Sequence, residues 1–155
     1  MQPHDDAPLF RIFQHVLDEG ATYVQEPSLT QPEFVDYWKA RGGEQWVAEA
    51  ERQILGGYTL RANHAGRGAH VATASYIVDA AARGHGVGRA LGEHSLERAR
   101  ALGFTALQFN LVVSTNEAAV QLWQRLGLRI VATLPRAFRH AQHGLVDAYV
   151  MYREL

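Results

Sequence analysis

The chain has 155 residues, 15 Lys and Arg against 16 Asp and Glu, a net charge of −1 with histidine neutral, and no cysteine. That length makes one domain with a sizeable core, and the balanced charge leaves no broad basic field for nucleic acid or an anionic membrane. Without cysteine there are no disulfides, thiolate metal sites or cysteine nucleophile. No apolar run approaches the ~18 residues of a membrane span. Met1-Gln2-Pro3-His4-Asp5-Asp6 also lacks the basic and apolar regions of a signal peptide, so a soluble cytoplasmic protein is expected.

Leu9 to Glu19 reads as a helix, with Leu9, Ile12, Phe13, Val16 and Leu17 on one face and Gly20 ending it. Thr30 and Glu33 have capping-box spacing for a second helix through Tyr37, Trp38 and Ala40, closed by Gly42-Gly43. Gln45 to Glu49 and Ile54 to Leu60 read as strands, followed by a loop from Arg61 to Gly68. Then come a strand from Val71 to Val78, a helix from Val87 to Leu102 and a strand from Ala106 to Val113. A helix with Ser114 and Glu117 at capping-box spacing stops at Gly127, and strands Leu128 to Thr133 and Val146 to Tyr152 finish the chain.

The densest signal lies between the Val71 strand and the Val87 helix: Arg83-Gly84-His85-Gly86-Val87-Gly88-Arg89. Three glycines in five positions let the backbone turn sharply and keep side chains off the helix entrance. The unpartnered N–H groups of a first helical turn, with the helix dipole, then cradle a phosphate or pyrophosphate. Arg83 and Arg89 flank the cradle with cationic side chains. No Gly-x-x-x-x-Gly-Lys-Ser/Thr is present, and the third glycine of a Gly-x-Gly-x-x-Gly fingerprint is replaced by Arg89. What stands here is Arg-x-x-Gly-x-Gly, from Arg83 through Gly86 to Gly88.

That pattern resembles the acetyl-CoA signature of the GCN5-related N-acetyltransferase (GNAT) superfamily. The family's second hallmark, Asn-x-x-Ala-x-x-x-aromatic followed by Gly-apolar, is matched by Asn116, Ala119, Trp123 and Gly127-Leu128. The resemblance implies a single α/β N-acetyltransferase domain over residues 1–155. Its mixed twisted sheet would be splayed at the acetyl-CoA-binding strand and flanked by helices. The strand that usually opens the family would be missing or short, since few residues precede Leu9. It further implies acetyl-CoA as co-substrate, held by Ile77 and Val78 backbone groups, by Arg83, Gly84, His85, Gly86, Val87, Gly88 and Arg89, and by Asn116 and Trp123. The cradle strand would splay from its neighbour at a bulge. Trp123 stands where the family usually has a tyrosine that protonates the departing CoA thiolate, and an indole N–H is no general acid. Tyr149 and Tyr152 are substitutes on that reasoning, or simply pack on a final strand.

Amine acetylation needs a neutral amine, donors for the developing oxyanion and a proton for the leaving thiolate. Asn110 interrupts an apolar strand, and a buried amide needs partners. It is read as a substrate or acetyl contact, or as a structural bond to a neighbouring loop. Thr73 and Tyr76 pose the same question. Gln108 to Asn116, with Leu122-Trp123-Gln124-Arg125-Leu126-Gly127 and Gly68 to Ala72, is similar to a GNAT group that includes fungal acetyltransferases of azetidine-2-carboxylate and related proline analogues. By that resemblance Asn110 and Asn116 match the acyl-site asparagines, and Thr73 stands where some members carry another asparagine. Thr73 is named with them for the acyl site, and Tyr76, Asn110 and Arg139 are named for the substrate. Glu49 is read as a water-mediated base or a solvated strand end, and His70 as a base or a loop-bonded histidine. Arg136, Arg139, His140 and His143 would clamp a carboxylate or form a solvated basic loop, and no metal site is expected from the two histidines.

The expectation is an acetyl-CoA-dependent transferase for the amine of a small molecule: an amino acid, an imino acid or a toxic analogue. A protein or peptide N-acetyltransferase and a catalytically inactive acyl-CoA sensor remain the alternatives. A homodimer is compatible with the sequence, which does not set the oligomeric state.

Overall fold

The computed structural model describes residues 1–39 and 43–155. Helix α1 (Asp6–Glu19) and helix α2 (Gln31–Lys39) precede strands β1 (Glu44–Ala50), β2 (Gln53–Ala62) and β3 (Val71–Val78). Helix α3 (Val87–Ala101), strand β4 (Ala106–Val113), helix α4 (Glu117–Arg125) and strands β5 (Arg129–His140) and β6 (Gly144–Glu154) follow. They make a six-stranded sheet in the order β1-β2-β3-β4-β6-β5. Only β3 and β4 pair in parallel among the described residues. Among the described residues no strand precedes α1. No helix among the described residues is long and apolar enough to cross a membrane.

Each face of the sheet carries one helical layer, because strand side chains alternate between faces. Leu9, Phe13 and Leu17 of α1 and Phe34 and Trp38 of α2 pack with Ile77 on one face. Leu91, Leu96 and Ala99 of α3 and Trp123 of α4 cover Tyr58, Leu60, Leu107 and Phe109 on the other. Truncating a fully buried side chain such as Leu9 to alanine would cost roughly 2–5 kcal/mol. One half of the Thr30–Glu33 box forms, the Glu33 carboxylate accepting from the Thr30 N–H at 2.8 Å, while the Thr30 hydroxyl donates to the same carboxylate at 2.6 Å. Those bonds hold the Glu33 carboxyl below its usual range.

Two expectations change and a third falls outside the described residues. Of the Gly42-Gly43 stop of α2, Gly42 lies outside the described residues, as do Ala40 and Arg41. Helix α4 is capped not by Ser114 but by Asn116, whose Oδ1 accepts the Ala119 N–H at 3.2 Å. The stretch read as a loop over 134–144 is mostly strand, β5 running on to His140. A register break between Leu134 and Phe138 absorbs Pro135 and lets β5 continue at the sheet edge, where proline is tolerated.

Candidate active site

The segment from β3 to α3 is built as a turn with an open mouth. Asp79 Oδ1 accepts the Ala81 N–H at 2.8 Å and starts a single helical turn, Ala80–Ala82. The chain then passes Gly84 at φ +79° and Gly86 at φ +82°, a region costly for other residues. A Cβ at either glycine would meet nothing within 4 Å. No side chain caps α3, so its first N–H groups face open space, the arrangement that binds anions. Gly88 is turned inward instead, its α-carbon face against Leu122 and Val78. Val87 packs against the core beneath the cradle.

The side chains around this turn are already engaged. Arg83 donates to both Glu19 carboxylate oxygens, at 2.7 and 2.9 Å, so the end of α1 holds that cation. Arg89 donates to Glu93 one turn along α3 at 2.8 Å. His85 donates from Nδ1 to the Arg83 carbonyl at 2.9 Å, bracing the turn.

Next to the cradle the sheet opens. Strands β3 and β4 pair only at Val71–Ala106 and Ala72–Leu107, then separate. The register break lies on β4 against β6, between Phe109 and Val112, rather than on β3. Val71 and Asp79 direct their backbone bonds to the β2 side. Because direction alternates along a strand, Ala74, Tyr76 and Val78 turn their backbone groups into the opening. Ile77 is paired to Gly57 on β2 and buries its side chain in the α1–α2 core. A cavity of about 590 Å³ fills the opening.

Asn116, Trp123 and Val78 line one part of that cavity. Asn116 spends its Oδ1 on the α4 cap, which leaves its amide N–H groups for a ligand. Trp123 packs tilted against Tyr76 and edge-on against Phe109, with centroids 4.6 and 4.8 Å away. The Tyr76 hydroxyl is bonded to Ser95 Oγ at 2.7 Å, and burial pushes its phenol above the usual range. Thr73 is buried on β3 beside Arg61, its register partner on β2. Asn110 is exposed rather than buried. It exchanges amide hydrogen bonds with Asn63, at 2.7 and 3.3 Å, and accepts from Gln108 at 2.8 Å. Asn63 is a loop partner of the kind the structural alternative named, and Asn110 stands in the wall of the same cavity.

The other part of the cavity comes from Tyr23, which no local pattern marked, and from His140, one of the four residues named for a carboxylate clamp. Tyr23, in the α1–α2 connection, donates its hydroxyl to the Tyr76 carbonyl at 2.8 Å, and burial raises its phenol well above the usual range. The turn between β5 and β6 docks on the end of α1, where Ala141 N–H meets the Gly20 carbonyl at 2.9 Å. At φ +58°, Gly20 has room for no Cβ, which would lie 2.7 Å from that of Ala141. This docking brings His140 into the cavity wall, buried, with Nδ1 accepting the Gln142 N–H at 3.0 Å. A neutral His140 ring therefore carries its proton on Nε2 and offers a donor.

Several expected residues stand elsewhere. Arg139 is exposed and outside the cavity wall: the segment is a strand, so neighbours alternate, and His140 takes the inward place. Arg136 uses its backbone N–H on Asp147 at 2.8 Å. Glu49 faces a separate pocket with His4, Arg11 and Asp79. His70 is bonded to the Arg67 carbonyl at 3.1 Å. Tyr149 and Tyr152 are paired within the sheet, and neither lines the cavity. Among the described residues no group of three His, Cys, Asp or Glu converges on a metal position.

An elongated phosphate-bearing thioester fits this site on two counts: the space before the α3 N-terminus is open, and the β3 edge beside it is unpaired. The comparisons agree. A solved GCN5-related N-acetyltransferase from Kribbella flavida superposes with a TM-score of 0.95 at 41% identity, over 100% of this chain and 95% of that one. A phosphinothricin acetyltransferase from Sinorhizobium meliloti, solved in complex with AcCoA, shares the fold with a TM-score of 0.81 at 24% identity, over 97% and 84% of the two chains. The N-acetyltransferase aca1 of Schizosaccharomyces pombe is 35% identical over 98 residues, 63% of this chain and 47% of that protein. The match thus spans about half the length of that curated relative. Residues 11–128 match the model of the Acetyltransferase (GNAT) family, and the chain belongs to that family.

Proposed function

We propose that this chain transfers the acetyl group of acetyl-CoA to the amine of a small molecule, an amino acid, imino acid or toxic analogue among the candidates. The observation that carries the reading is one cavity joining the β3–β4 opening to a chamber walled by the α1–α2 connection and His140. A walled chamber suits a small acceptor better than a peptide laid across an open groove.

Acetyl-CoA supplies an activated acetyl thioester. The first-turn N–H groups of α3 would hold its pyrophosphate, and the Asn116 amide its pantetheine arm. Backbone N–H groups of β3 at Tyr76 and Val78 face the opening, where donors can stabilise charge growing on a carbonyl oxygen. The new C–N bond forms as the C–S bond breaks, so the amine loses one proton and the sulfur gains one. Free alkylammonium groups have pKa values of roughly 10, so the amine must shed its proton before attack. Glu19, the carboxylate of the cavity wall, is occupied by Arg83, so this first proton would leave through water to bulk solvent, and the second N–H proton, lost as the C–N bond forms, balances the one gained by sulfur. Tyr23 remains protonated and is the candidate donor to the departing sulfur, in the role that Trp123 cannot fill.

The test is release of CoA thiol from acetyl-CoA with proline analogues, free amino acids, polyamines, aminoglycosides and peptides. Turnover with small amines supports the proposal, turnover confined to peptides replaces it, and acetyl-CoA binding without turnover on any class marks a sensor.

A further inference from the structure

The charge of the cavity wall is uneven. Glu19, Arg61 and Arg83 are its side chains ionised at neutral pH, with histidine counted as neutral. Glu19 and Arg83 neutralise each other through their paired hydrogen bonds. Arg61 is in no ion pair among the described residues. It is half-buried on β2, opposite Thr73. A guanidinium stays charged at any physiological pH and favours a planar anion.

Its neighbours in the wall add donors and no anion. His140 offers an Nε2 proton, because Nδ1 is occupied by the Gln142 N–H. Thr22 Oγ1 is buried without a protein partner and belongs to the same wall. A buried hydroxyl without a partner is unfavourable, and a bond to a ligand would recover that loss. No unpaired carboxylate of the wall is left to receive a second cation. A guanidinium, an imidazole N–H and a hydroxyl in one wall are donors suited to a carboxylate, and the Gln25 Oε1 of that wall, also buried without a protein partner, is an acceptor suited to the amine beside it.

Resting on the transferase reading, we infer that the acceptor carries a carboxylate beside its amine and that Arg61 is the residue that selects it, assisted by His140. Amino and imino acids are accepted on this basis, while polyamines and other polycationic amines are rejected by the unpaired arginine.

The test uses the full chain, acetyl-CoA and matched acceptors: proline and other free amino acids against their carboxamides, with spermidine as a polycation. Wild type is expected to favour the acids by about tenfold or more in kcat/KM, the size of a lost charge-assisted bond. Arg61→Gln should bring acid and amide to near parity with KM for acetyl-CoA unchanged, and Arg61→Lys should restore part of the preference. Melting curves of both variants report folding. A wild type that prefers amides or spermidine, or an Arg61→Gln chain with an unaltered ratio, overturns the inference while leaving acetyl transfer in place. If no acceptor turns over, the transferase reading fails instead. Thermal shifts by the acids with CoA present then decide the recognition: an acid-selective shift lost in Arg61→Gln supports it, and no such shift overturns it.

Discussion

Arg83 Nη1 lies 2.7 Å from Glu19 Oε1 and its Nη2 lies 2.9 Å from Oε2, so the last residue of α1 clamps the first cation of the cradle. A bidentate carboxylate and a pyrophosphate compete for the same guanidinium face. Glu19→Gln is therefore expected to tighten CoA binding, by about fivefold for a pair worth about 1 kcal/mol. The gain should fade at high salt, where exposed charges are screened. CoA titrations at two salt concentrations measure it, and unchanged affinity at both would show that the pair does not oppose the ligand.

Asn116 serves two partners with one amide. Its Oδ1 caps α4 through the Ala119 N–H, and its amide N–H groups are the part left for pantetheine. Asn116→Asp keeps an oxygen for the cap but no donor, whereas Asn116→Ala loses both. Asn116→Ala should lower stability by about 0.5–2 kcal/mol, and Asn116→Asp should hold it. Both should raise KM for acetyl-CoA. An aspartate variant with wild-type kinetics would confine Asn116 to its capping role.

The sequence carries the cofactor half of the site better than the acceptor half, and the reason is locality. The cradle and the α4 cap are each made within a few consecutive residues, so their glycines and Asn116 stand out by spacing. Strands β3 and β4 also begin and end where their apolar runs do. The acceptor wall depends on contacts between distant positions. Tyr23 reaches Tyr76 across 53 positions and Arg83 reaches Glu19 across 64. His140 enters only because Ala141 docks on Gly20. Composition hid the second half of β5 as well, since Pro135 and the basic residues after it resemble a loop until the register break is seen.

Tyr23 separates a chemical from a structural role through its hydroxyl alone. Its ring meets Phe13 edge-on at 5.0 Å, a contact that phenylalanine keeps. Tyr23→Phe removes the bond to the Tyr76 carbonyl, worth about 1 kcal/mol of stability. If the hydroxyl also serves the departing sulfur, kcat should fall by about 100-fold or more, in the range of acid catalysis, with KM for acetyl-CoA little changed. Steady-state kinetics beside a melting curve distinguish the cases. A small loss of melting temperature with intact kcat would make Tyr23 a strut of the α1–α2 connection.

Far from the cavity, Glu44 ties β1 to α3 and gives the fold an acid-sensitive joint. Arg98 donates to its carboxylate at 2.6 and 3.0 Å, and the Trp46 indole N–H donates at 2.8 Å. The Arg98 hydrogen bonds are the main cause that holds the Glu44 carboxyl below its ordinary 4.5. A depressed native value means the unfolded chain takes the proton first as pH falls. The stabilisation is complete above about 4.5 and is lost as pH falls through the native value. Glu44→Gln should therefore be less stable than wild type at pH 7, by about 0.5–1 kcal/mol for a partly exposed pair. That gap should close in acid, as the wild-type carboxylate is itself neutralised. Melting temperatures from pH 7 to strongly acid conditions provide the check. Parallel curves for the two proteins throughout would mean that the Arg98 pairing contributes nothing to the pH dependence of the fold.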